Sequence, residues 1–397
     1  MTQVLERSGR VSPLRPNWEN PVTMSYDFKT SIHTSYDGTE QREAMRETPR
    51  VAVEFNSLMR PEGVSRLLSD AAEGFQTPFT LPVPPRRLTL TSDASAGTDT
   101  LQVSSAAFWL TQGMDLVIED ESKQEVVTIS SVVSSTITLL ANLTGTFLSG
   151  SAVFQASSAR LPQAPQFSAR LPGVWEGAVR FEVDPGTGYQ PIKTSSPTTF
   201  EGTEVFETRP NWASPAQITF DEERQVLDPG RGIIQTFAPV GYTRLSRQAG
   251  LTFVDAGAAE DFLAFFLRMK GRRGEFWCPT FTQDLLCIET KSSGATTFKV
   301  SGVDADAAYS GSSMYSVLAA LWPDGDLQVN RVSAVTNDGT DSEFTVADPW
   351  DQQISPDTTF SWCLRSRLAT DRMQLSWITQ EVSETQFTTF SLPNEAA

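Results

Sequence analysis

Arg15-Pro16-Asn17-Trp18 recurs as Arg209-Pro210-Asn211-Trp212, and the order of elements after each copy decides how the chain is organised. Each copy passes a proline (Pro21, Pro215) into an alternating stretch. These are Val22-Thr23-Met24-Ser25-Tyr26 and Ala216-Gln217-Ile218-Thr219-Phe220. A glycine-containing polar turn follows, then a second alternating stretch at 50–55 or 242–246. Period two marks strands with one buried face.

A helix comes next in both copies. The first is opened by Pro61 and closed by Gly74, with Val64, Leu67, Leu68 and Ala71 on one face. The second starts near Asp255, reads Glu260 and Asp261 as acids of its first turn, and ends in Lys270-Gly271. Proline or acids early and base or glycine late are helix start and stop signals. Its apolar residues Phe262, Leu263, Phe266 and Leu267 need a sheet to cover them, as does the first helix's stripe.

After the helix, Pro78-Phe79-Thr80-Leu81-Pro82 answers Glu275-Phe276-Trp277-Cys278-Pro279, and 97–103 answers 294–300 at the same spacing. Collinear matches over this span read as a tandem duplication. Short alternating stretches at 115–118, 125–129 and 136–139, and at 327–329 and 343–346, predict a small β-barrel inserted in each copy. Closing strands are predicted at 178–183 and 385–390. The expected fold class is mainly β with a minor α component. It consists of two tandem repeats, each a β-sandwich-like strand–helix core with an inserted small β-barrel. The expected boundaries are an N-terminal arm without a fold of its own (1–14), core 15–86, barrel 87–160, closing strand 161–184, and a Pro/Gly/Thr/Ser-rich linker (185–208). The second repeat then has core 209–285, barrel 286–365 and closing strand 366–397.

At 397 residues the chain exceeds one compact core. Its 31 basic and 48 acidic residues leave a net charge of −17, a field that repels phosphate backbones, so no nucleic-acid partner is expected. The densest basic run, Lys270-Gly271-Arg272-Arg273, reads as a charge cluster at a helix C-terminus. No apolar stretch reaches the ~18 residues needed to cross a bilayer. The first residues lack the apolar centre of a signal peptide, so cytoplasmic synthesis without membrane insertion is expected. Cys278, Cys287 and Cys363 form no Cys-x-x-Cys pair and read as buried free thiols.

Catalytic chemistry finds little to use. His33 is the one histidine, in a polar stretch, with no Gly-x-Ser-x-Gly elbow and no phosphate-binding loop. The pairs Asp304/Asp306, Asp324/Asp326 and Asp338/Asp341 miss the EF-hand spacing and read as turns. No catalytic, cofactor-binding or metal-binding residue is expected, and no cofactor. Trp18, Trp212, Trp277, Trp322, Trp350 and Trp377 admit a sugar-stacking surface or core and subunit-interface anchoring. The shared repeat position of Trp18 and Trp212 favours the structural role.

The run Tyr242-Thr243-Arg244-Leu245, the helix with Phe262, Phe265 and Phe266, and Gly271-Arg272-Arg273-Gly274-Glu275-Phe276-Trp277 resemble one family, the distal tail and minor tail (baseplate) proteins of long-tailed phages and gene transfer agents. The resemblance is concentrated in 240–285 and weaker in 50–82. It implies a non-enzymatic virion protein of the tail tip, assembled in the host cytoplasm. Such a protein forms a ring, trimer or hexamer, that joins the tail tube protein to the baseplate hub protein and carries peripheral tip or fibre proteins. Three copies of a two-repeat chain would present six similar domains, matching a sixfold tube to a threefold hub. Trp18, Trp212, Arg272, Arg273, Phe276 and Trp277 are the candidate structural or interface residues. The first copy departs from the pattern with Gly74-Phe75-Gln76-Thr77-Pro78-Phe79, so a contact made by the arginine pair belongs to the second copy alone. The rival expectations are a receptor- or carbohydrate-binding tip protein and, more weakly, a cell-wall hydrolase.

Overall fold

The computed structural model describes residues 10–393 except 37, 76, 121–122, 186–195, 214, 223, 239–242, 303 and 313. The chain is mainly β, 48% strand and 9% helix. The first half opens with β1 (Val22–Asp27), β2 (Thr30–Thr34), β3 (Glu40–Ala44) and β4 (Arg50–Met59), then α1 (Pro61–Glu73) and β5 (Phe79–Thr89). It continues through β6 (Thr100–Gln102), β7 (Asp115–Glu119), β8 (Gln124–Val133) and β9 (Thr136–Leu139), and ends in β10 (Ala152–Arg160), β11 (Ser168–Leu171) and β12 (Val174–Val183). A short hairpin follows, β13 (Thr199–Phe200) and β14 (Thr203–Val205).

The second half opens with β15 (Gln217–Asp221), β16 (Gln225–Leu227), β17 (Gln235–Phe237) and β18 (Arg244–Phe253), then α2 (Ala256–Met269), the 3-10 turn Gly271–Arg273 and β19 (Phe276–Pro279). It continues with β20 (Thr297–Ser301), α3 (Ala305–Tyr309), β21 (Val317–Leu321), β22 (Leu327–Asn337) and β23 (Asp341–Val346), and closes with β24 (Thr359–Leu368), β25 (Arg372–Trp377) and β26 (Ser383–Ser391). Tyr242, which belongs to the family resemblance, lies outside the described residues.

The ladders of the two halves run in matching register. Thr23 faces Glu54 and Met24 faces Val53, as Gln217 faces Gln248 and Ile218 faces Arg247. Val53 faces Phe181, as Arg247 faces Thr389. Phe79 faces Ala159, as Phe276 faces Ser366. In each half the same strand continues into the smaller subdomain. β10 pairs with β5 along both of their lengths and takes β7 on its other side over Ala152–Gln155, and the order β7–β8–β9–β6 returns to the end of β5 through the Leu90–Val103 bridge. β24 likewise pairs with β21, and β21–β22–β23–β20 returns through the Cys287–Val300 and Leu285–Phe360 bridges. The expected edges at 86 and 365 therefore fall inside continuous strands, β5 and β24, while the one at 160 coincides with the end of β10. The smaller subdomains grow out of the core as extensions of its strands.

Three residues of the repeated tetrapeptide play matching parts in the two halves. Asn17 donates its backbone N–H to Asn56 O (2.9 Å) and accepts the Glu19 N–H on its side chain (3.2 Å). Asn211 does the same with Gly250 O (3.1 Å) and Ala213 (3.1 Å). This Asx turn holds the next residue in left-handed backbone, Trp18 at φ 56° and Trp212 at φ 53°. The arginine reaches the smaller subdomain: Arg15 Nε lies 2.9 Å from Glu119 Oε2, and Arg209 Nη2 lies 3.3 Å from Trp322 O.

One hydrophobic core runs through both halves, from Leu14, Met24, Phe55 and Phe181 to Leu251, Phe262, Phe276 and Phe387. Each smaller subdomain has its own, the second built on Phe298 stacked 4.1 Å over Phe360. The halves are joined by the β1–β25 ladder, six residue pairs from Val22–Trp377 to Asp27–Arg372. They are also joined by a buried ion pair, Arg86 Nη2 to Glu260 Oε1 at 2.6 Å, with Arg86 donating to Gln155 Oε1 as well (2.7 Å). Removing one partner from such a pair leaves a buried charge, at a cost of about 3–5 kcal/mol.

Three expectations change. Residues 10–14 are not a free arm: Ser12 donates to Thr80 O (2.9 Å), and Leu14 sits in the core. Glu260 is not a first-turn acid; α2 begins at Ala256, capped by the Asp255 side chain accepting the Ala258 N–H at 2.8 Å, and Glu260 is the buried partner of Arg86. The described part of the predicted linker is built into the second half. β14 pairs in parallel with β19, and Phe206 lies among Phe262, Phe265, Phe276 and Phe387, stacked 4.3 Å from the last. A linker phenylalanine would tolerate truncation. Phe206→Ala is instead expected to cost about 3–5 kcal/mol in chemical denaturation, and a loss under 1 kcal/mol would return the segment to a linker.

Candidate assembly interface

The arginine turn after α2 faces inward, onto the first half. Gly271 adopts φ +67°, and a Cβ there would lie 2.5 Å from Asp371 Oδ1, so only glycine admits this approach. Asp371 accepts from the backbone N–H of Arg272 (2.9 Å), from Thr30 N (2.8 Å) and from Thr30 Oγ1 (2.8 Å), and meets Arg272 Nη2 at 3.2 Å. Arg272 Nη2 also donates to Thr30 O (3.1 Å). Arg273 offers its carbonyl to Arg42 Nη1 (3.1 Å), and its guanidinium lies 4.0 Å from Glu47. The β2–β3 hairpin is thus clasped to the second half.

Glu40 centres that clasp. Its side chain is 3% exposed and accepts from Arg367 Nε (2.7 Å) and Nη2 (3.0 Å), with Arg244 (3.5 Å) and Arg42 (3.8 Å) beside it. Arg42 also pairs with Glu275. Burial by itself raises the Glu40 pKa, but the Arg367 hydrogen bond and the charges of Arg367, Arg244 and Arg42 outweigh it and hold the carboxyl below its usual range. Asp371 is lowered in the same way, burial being opposed by the bonds from Arg272 and Thr30.

The candidate residues divide. Arg272 and Arg273 form the clasp. Phe276 and Trp277 are core, at 0% and 4% exposure, with Trp277 Nε1 donating to Phe200 O (3.2 Å). Trp322, Trp350 and Trp377 are buried too, so these rings offer no platform to a sugar. Trp18 packs against the core, while Trp212 is half exposed. The structure does not bring the six residues together into one surface.

Sequence reasoning missed the surface that is exposed. β15 carries the pattern of β1, with Ile218 where β1 has Met24 and Phe220 where it has Tyr26. Met24 and Tyr26 are 0% and 1% exposed, whereas Ile218 and Phe220 are 47% and 69% exposed. All five residues of β15 are exposed, and so are β16 and β17, whose hairpin adds Val226, Leu227, Ile233, Ile234 and Phe237. Exposed apolar side chains on an unpaired edge strand mark an interaction site. Among the described residues β15 pairs only with β18, leaving its other edge open.

Chemistry elsewhere is sparse. His33 lies in β2, its Nε2 3.4 Å from Ser31 Oγ. Asp338 accepts the N–H groups of Thr340 and Asp341 and the Lys299 ammonium, and Asp324 and Asp326 share Gln352, as turn residues do. Among the described residues no cluster of three His, Cys, Asp or Glu side chains could hold a metal ion. The three cysteines are free and buried. Burial pushes Cys278 up to about 11, against the pull of Arg247, and raises Cys287 and Cys363, which keeps the thiols protonated and unreactive. No family model and no curated protein matches the chain.

The clasp has a pH signature. A carboxyl held below its usual value stabilises the folded state above the unfolded-chain pKa, and that contribution is lost as pH falls through the folded value. Amide exchange in 30–44, corrected for intrinsic rate, is expected to keep its protection from pH 7 to about 5 and lose it below about 4, ahead of β4 and β12. Loss of hairpin and core protection together would contradict the clasp.

Proposed function

We propose that this chain is a structural protein of a phage-like tail tip, a tandem duplication whose two strand–helix cores each carry a small β-barrel. In this reading it forms a ring between the tail tube and the baseplate hub and carries peripheral tip proteins. The observation that carries the reading is the open, apolar edge strand β15 with its exposed hairpin, on a half whose counterpart has the same strand covered. Large apolar and β-edge surfaces are what a permanent ring uses for cohesion. The resemblance in 240–285 supplies the setting, and the matching ladder registers support the duplication. Glycan binding at the tip has only Trp212 as an exposed ring among the six singled out, which favours the ring over the receptor-binding alternative.

Three chains would then present six similar cores. Native mass spectrometry of the protein released from particles, or concentrated alone, is expected to give a trimer. A sixfold ring of twelve cores would overturn the trimer, and a chain that stays monomeric both at high concentration and on the particle would overturn the ring.

A further inference from the structure

We infer that the open edge of β15 pairs with residues 166–169 of a second copy of this chain, repeating between copies the β1–β25 ladder that joins the halves within one. This deepens the ring reading above and rests on it for closure alone.

The ladder within the chain supplies the template. β1 has two neighbours, β4 of its own half and β25 of the other. β15, in the same register on β18 as β1 on β4, has only the first among the described residues. The counterpart of β25 in the first half is found from its partner strand. Ser376 faces Glu384 where Ser168 faces Glu176, so Ser168 stands in the place of Ser376. β25 is covered by β1. The segment around Ser168 pairs only with β12 among the described residues, and Gln166, Ser168, Ala169 and Arg170 are exposed. Each half therefore has one edge satisfied inside the chain and one left open, and the two open edges are the matching pair.

Transferring the register gives a definite ladder. Thr23 faces Ser376 and Met24 faces Leu375 within the chain. Between copies, Gln217 then faces Ser168 and Ile218 faces Phe167, with Thr219 opposite Gln166. Pro165 has no N–H to offer and ends the ladder. Phe167, half-buried against Trp175 at 6.4 Å, gives Ile218 an apolar neighbour.

The hairpins agree in direction and in chemistry. β2–β3 lies on the Arg272 turn through ionic contacts. The same displacement sets β16–β17 on the matching turn of the next copy, where Phe75 follows Gly74 and no arginine pair stands. A hairpin with exposed apolar side chains meets a turn that offers Phe75 and no arginine, and a charged hairpin meets a charged turn, so neither docks well in the other's place. A head-to-tail contact between different edges builds a closed ring or an open filament, not an isolated pair.

The test is directed cross-linking of the full chain at Gln217→Cys and Ser168→Cys, under mild oxidation. Equal amounts of the two single variants, mixed, are expected to give a disulfide-linked dimer and nothing larger. The double variant is expected to give a ladder that stops at the ring size. As a second measurement, Ile218→Lys with Phe220→Glu should abolish assembly and leave the thermal midpoint unchanged, because both side chains are exposed. Assembly without the mixed dimer overturns the pairing and leaves the ring reading standing. A ladder that grows without limit upholds the pairing and overturns the ring. Retention of assembly by the Ile218→Lys/Phe220→Glu variant overturns the pairing by itself.

Discussion

The antiparallel ladder between β1 and β25 is the constraint on which the rest of the molecule depends, because it places the last strands of the chain against the first. Six residue pairs tie strands separated by most of the sequence. The cost of closing so long a loop is met by neighbouring contacts formed in the same place. The Arg86–Glu260 pair lies buried beside the shared core, and the Glu40 and Asp371 clasps fix the β2–β3 hairpin over the joint. A ladder alone would hinge. A ladder, a buried charge pair and a clasp together leave the halves no independent motion without exposing a charge or breaking a sheet.

That joint also explains why two halves with the same pairing registers have opposite surfaces. β1 and β15 alternate alike and sit alike on β4 and β18, yet one is core and the other is solvent-facing. The difference lies in the neighbour, not in the strand. The smaller subdomains are tied to the core for a related reason. Their strands β10 and β24 are the core's own strands continued, and Arg15 and Arg209 reach across to Glu119 and the Trp322 carbonyl.

Much of the architecture was legible in the sequence because it is local. Alternation located β1, β4, β12 and β26, and Pro61, Gly74 and Asp255 marked helix ends. β21 was missed because Val317–Leu321 is buried throughout and shows no alternation. The β13–β14 hairpin was lost in a Ser/Thr/Pro-rich stretch, its purpose set by Phe206 and a parallel pairing to β19. Glu260 was assigned to a helix start because its true partner, Arg86, is 174 residues away. Of the interface, Arg272 and Arg273 were visible as a motif, but Asp371 and Thr30 as their partners were not. The exposure of Ile218 and Phe220 could not be read at all, since a strand that awaits a neighbour is written like one that has it.

The most direct measurement is a symmetry-resolved map of the assembled ring. Continuity of the sheet across the subunit boundary predicts β15 of each copy running antiparallel to residues 166–169 of its neighbour, at a strand spacing of about 4.8 Å. A map in which β15 faces solvent, or is covered by a different protein while the copies touch elsewhere, would contradict it.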